Sequence, residues 1–86
     1  LQGGYVTPAP APEAVALEAL RQVIRTAATT PAGGYRLAVA PGVADLLEGP
    51  LQPALDDASR HVGQLVLQRD PDRRPDRFEV MLGSGS

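Results

Sequence analysis

Residues 36–49, RLAVAPGVADLLEG, change their hydrophobic period in mid-run. Tyr35, Leu37 and Val39 alternate with Arg36, Ala38 and Ala40, the two-residue period of a strand with one large apolar face and one smaller. Pro41-Gly42 follows, and Val43 to Glu48 then repeats at helical spacing. A strand that turns directly into a helix limits the fold to layers in which the helix packs back on the sheet. Such corners also hold phosphates in many nucleotide-binding proteins. This one lacks both the glycine spacing of a dinucleotide loop and the Gly-Lys-Ser/Thr of a P-loop, so it reads as a structural bend.

The flanking segments extend the pattern. Glu13 to Ala28 is a helix whose apolar stripe is Leu17, Leu20, Ile24 and Ala27, widened by Val23. Pro12 suits its first turn, Glu13 suits the dipole there, and Pro31 with Gly33-Gly34 ends it. Glu18 is placed to pair with Arg21 or Gln22. After a break at Gly49-Pro50, Leu51, Ala54, Leu55, Ala58 and Val62 form a second helical run that stops at Gly63. Gln64 to Arg69 reads as a strand with Leu65 and Leu67 on one face and Val66 on the other. DPDRRPD turns the chain, and Arg77 to Leu82 is the last strand, with Phe78, Val80 and Leu82 aligned. The expected fold is α/β (α+β): one small mixed three-stranded sheet with helices packed on it, in the order helix, strand, kinked helix, strand, strand. The strand–helix–strand segment predicts parallel neighbours in a right-handed crossover, and the last two strands predict an antiparallel hairpin.

Eighty-six residues make one domain at most, and the absence of cysteine excludes disulfides and Cys-based zinc sites. Residues 1–11 read as a linker, with Pro8, Pro10 and Pro12 favouring an extended path. Residues 12–82 read as the domain, and residues 83–86 as a linker or cloning tail. The missing initiator Met and the GSGS ending suggest an excised piece. No apolar run approaches the ~18 residues of a membrane span, which leaves the cytoplasm as the default location. Eight basic residues, all Arg, against ten acidic ones give a net charge of −2, which argues against a general polyanion binder.

Candidate chemistry is sparse. Asp56-Asp57 are adjacent on a helix, so their side chains diverge and read as a solvated face. Asp45 and Glu48 are spaced to share a cation but have no third ligand in view. His61 lacks a nucleophile partner and reads as a last-turn histidine at a helix C-terminus. RDPDRRPDR mixes four Arg with three Asp and reads mainly as a self-pairing turn. Tyr35 and Phe78 belong to the larger apolar faces and read as core rather than base-stacking platforms.

Four pieces, PEAVALEALRQVIRTAAT, YRLAVAPGVADLLEG, LDDASRHVGQLVLQRDPD and DRFEVML, together resemble the small C-terminal domain of the catalytic half of ribonuclease E/G family endoribonucleases. The resemblance runs from about Tyr5 to Leu82 and rests on the order and spacing of the pieces. GPLQPALDDASR departs from it, carrying less charge than the family's second helix and two prolines. LQGGYV looks like the sequence just after the family's Cys-x-x-Cys zinc link, which is absent here. The resemblance implies that the catalytic carboxylates, the OB-fold and the 5′-monophosphate pocket lie upstream, so that this piece does not cleave RNA. It implies a parent endoribonuclease using structural zinc and catalytic magnesium, with no cofactor in this piece, and a homo-oligomer in which small domains help hold catalytic dimers together.

Two functions follow as expectations. The first is a non-catalytic oligomerisation domain in RNA processing and decay, associating through the exposed sheet face or the first helix, with Leu17, Leu20 and Tyr35 as candidate residues. The second is an RNA-binding module with Arg36, Arg69, Arg73, Arg74 and Arg77 around one edge. A small-molecule enzyme finds no supporting residue cluster.

Overall fold

The computed structural model describes residues 11–83 as an α+β fold of three helices and a three-stranded sheet. Of the linker read at residues 1–11 and the tail read at 83–86, residues 1–10 and 84–86 lie outside the described residues, and Ala11 is the cap of the first helix.

Helix α1, Pro12–Thr29, begins with proline in its first turn, where an amide donor is not needed. It ends at Thr30, whose N–H donates to the Thr26 carbonyl at 2.7 Å, immediately before Pro31. Its fully buried residues are Val15, Ala16, Ala19, Leu20 and Val23, whereas Leu17, Ile24 and Ala27 are only half-buried. The buried stripe is thus rotated toward the alanines, which let α1 approach its neighbours closely. Glu18 accepts from Arg21 at 2.8 Å and from Arg25 at 2.7 Å along the solvent side.

Strand β1, Gly34–Val39, leads into α2, Pro41–Leu47. Helix α2 buries Val43, Ala44 and Leu47, with Leu46 half-buried. The break to α3, Gln52–Val62, is held by the Gly49 and Leu51 amides, which both donate to the Leu46 carbonyl. A Cβ on Gly49 would lie 3.0 Å from the Asp45 carbonyl, so the turn is tight there. Gly63 ends α3 at φ 93°, a conformation that favours glycine. The remaining strands are β2, Leu65–Arg69, and β3, Phe78–Gly83. Gly83, assigned from sequence to the tail, is therefore the last residue of β3.

The sheet order is β2-β1-β3. β2 runs parallel to β1, as the strand–helix–strand pattern predicts. The expected β2–β3 hairpin does not form, because β3 pairs antiparallel with β1 instead. The physical reason is burial. β1 is the most apolar strand, with five of its six residues buried, and the central place gives it a neighbour on each side. The connection Asp70–Arg77 exceeds the ~2–5 residues of a hairpin loop and carries the chain across the end of β1. It is anchored there by the Asp70 amide, which donates to the Val39 carbonyl at 2.9 Å.

Register divides the side chains into two faces. Tyr35, Leu37 and Val39, with Leu65 and Leu67 on β2 and Phe78 and Val80 on β3, pack against the helices. Leu82 shares that face but lies at the end of an edge strand and is 55% exposed. Arg36, Ala38, Val66, Gln68, Glu79 and Met81 form the other face. No helix of the described residues packs on it. Ala38 is nevertheless 1% exposed, set in register between the longer side chains of Gln68 and Glu79. No helix among the described residues is long and apolar enough to cross a membrane.

Candidate functional site

Arg69, the last residue of β2, is the most engaged of the candidate arginines. Its Nη1 donates to Asp45 Oδ1 at 2.6 Å and its Nη2 to Glu48 Oε1 at 2.6 Å. Nη1 also lies 3.3 Å from the Pro41 carbonyl. The cation shared by Asp45 and Glu48 is therefore a guanidinium, whose fork meets two carboxylates one helical turn apart. Hydrogen bonds to Asp45 and then to Glu48 raise the Arg69 pKa above its usual range. The clamp ties the end of β2 to α2 beside the Pro41-Gly42 corner. Parallel pairing carries the signal that links them, since it sets Arg69 beside Val39 at the strand end from which α2 departs. Sequence reading found the carboxylate pair and the arginine separately.

Arg73 is also engaged. Its Nε donates to Asp70 at 3.2 Å and its Nη2 to Glu79 at 3.1 Å, which folds the charged connection onto the start of β3. The Asp72 amide donates to Asp70 Oδ1 at 3.1 Å, a local turn bond. Among the described residues, Arg36, Arg74 and Arg77 make no ion pair. Arg36 is in register with Val66 and Met81 on the uncovered face, whereas Arg69 is on the helix-bearing face. The five arginines therefore do not form one edge.

The candidate self-association residues separate as well. Leu20 is 4% and Tyr35 2% exposed, so both belong to the core and present no docking surface. Tyr35 Oη donates to the Thr30 carbonyl at 2.7 Å, closing the turn between α1 and β1. Leu17 is half-buried in an open groove of about 450 Å³ that it shares with Ala14, Glu18, Arg21, Asp76 and Phe78.

Asp56 and Asp57 are exposed, and Asp57 lies 3.6 Å from Arg60 and 3.7 Å from His61. No group of three or more His, Cys, Asp or Glu among the described residues is placed to hold a metal. The Pro41-Gly42 corner borders an open groove of about 520 Å³ lined mainly by Pro12, Pro41, Pro71 and Pro75 with Val43, Leu46 and Arg73. Arg73 already donates to Asp70 and Glu79, and the proline rings and apolar side chains around it offer an anion few further donors.

Among the described residues, the outer margin of the sheet is left without a partner. Val66 is 45% exposed on the uncovered face, and its strand β2 is an edge. No protein-family model and no curated protein matches this chain at a significant level.

Proposed function

We propose that the chain is a non-catalytic assembly domain of the ribonuclease E/G type, serving RNA processing and decay in the cytoplasm through a parent endoribonuclease. Resemblance across most of the chain motivates the family. The observation that carries the assembly role is the half-covered sheet: helices pack on one face only, and the other presents Val66 and Met81 beside an open edge. A small domain gains stability by burying such surface against a partner. Its work is to bring copies of the parent together, while chemistry, metals and RNA contacts belong to other parts of that enzyme.

Sedimentation equilibrium over a wide concentration range tests this reading. Mass that rises with concentration is expected. A strict monomer up to about 1 mM, where association is worth no more than about 4 kcal/mol, overturns self-association through this chain.

A further inference from the structure

We infer that two copies of this chain pair through β2, antiparallel, about a two-fold axis at Val66. The inference deepens the assembly reading and rests on it for its biological setting. Its own argument is the strand itself. Residues 64–68 read Gln-Leu-Val-Leu-Gln, the same in both directions. A strand laid antiparallel on its own copy about Val66 sets Val66 opposite Val66, Leu65 opposite Leu67, and Gln64 opposite Gln68. Every pair then matches in size and polarity.

Backbone directions agree with that axis. The Tyr35 amide donates to the Gln64 carbonyl and the Asp70 amide to the Val39 carbonyl, both at 2.9 Å. Even-numbered residues of β2 therefore turn their backbone groups toward β1. Leu65 and Leu67, alternating with them, turn theirs outward at the open edge. In the antiparallel pair, Leu65 and Leu67 of opposite copies exchange both N–H···O bonds, and Val66 becomes the closer, non-hydrogen-bonded pair. The exposed Val66 side chains meet on the uncovered face, and the sheet continues through both molecules.

The other edge, β3, has no such symmetry: it reads FEVMLG and carries Glu79, which pairs with Arg73.

Single cysteines test the axis, since the chain has none of its own. Val66→Cys places two thiols at an antiparallel non-hydrogen-bonded pair, about 4.5 Å apart at Cα, within disulfide reach. Gln68→Cys places them roughly 14 Å apart, out of reach. Rapid oxidative linking of V66C, none of Q68C, and linking when Q64C and Q68C are mixed is the expected result. In sedimentation, Val66→Lys is expected to weaken the dimer by at least about tenfold, because like charges meet at the axis, with unchanged circular dichroism. If the wild type associates while V66K associates equally well, or Q68C links as fast as V66C, the β2 axis is wrong and the assembly reading stands. A monomeric wild type whose V66C variant does not link overturns both.

Discussion

Arg69 reaches back past all of α3 in sequence to Asp45, with a guanidinium nitrogen 2.6 Å from the carboxylate, and so fastens the end of β2 to the helix that leaves β1. The bond is exposed, so its worth depends on solvent and salt. Its second arm, to Glu48, makes it a clamp rather than a single pair.

Replacing Arg69 by Ala should lower the thermal midpoint at low ionic strength, with the deficit narrowing as salt is added. Arg69→Lys should recover only part of it, because one ammonium cannot offer a fork to both carboxylates. The sign of the pH effect follows from the raised Arg69 pKa. A group held charged by its partners contributes fully below its unfolded value and loses that contribution as pH rises through its folded value. Melting curves of wild type and R69A should therefore differ by a constant amount through this arginine from neutral to mildly alkaline pH, converging only in strong alkali.

Two glycines should respond oppositely to alanine. Gly63 sits at φ 93°, and Gly63→Ala should cost at least about 1–2 kcal/mol despite the open space around it. Gly42 lies in the first turn of α2, and a Cβ there would meet nothing within 4 Å. Gly42→Ala should be stabilising by about 0.4–1 kcal/mol. Urea denaturation measures both. A large loss at Gly42 would mean that the corner needs its bare backbone after all.

Core truncation at the central strand should be severe. Leu37 is fully buried on the helix side of β1, and Leu37→Ala should cost about 2–5 kcal/mol by cavity formation. Tyr35→Phe keeps the ring and removes only the bond to the Thr30 carbonyl, so about 0.5–1.5 kcal/mol is expected. Both values come from equilibrium unfolding.

Single-stranded RNA should bind weakly or not at all. Arg69 and Arg73 already face carboxylates, and Arg36 is separated from Arg69 by the thickness of the sheet. Fluorescence anisotropy at about 50 mM salt should show no saturating signal. Tight binding that falls steeply with added salt would instead favour the RNA-binding reading.

The elements were legible because their periods are clean: Tyr35–Val39 alternates, and the α3 run from Leu51 to Val62 repeats at helical steps. The rotation of α1 was not, since periodicity weights large side chains while packing chose Ala16 and Ala19 for the closest approach. The partner of β3 was hidden for a different reason. Alternation in FEVML says which side chains share a face, but which strand lies alongside depends on where β1 gains most burial. At the candidate site, the carboxylate pair and the arginines were visible singly. Which of them meet depends on the parallel register, and that is a property of the sheet.

Central β1 has neighbours of opposite direction, and the one contributed by β3 comes from the C-terminal end of the described chain. During synthesis, a chain still lacking residues 78–83 has a strongly apolar strand with one side bare. Such an intermediate invites wrong pairing with other nascent chains. The last of the described strands to emerge thus acts as a closing seal, and trimming it should be felt first as aggregation during expression.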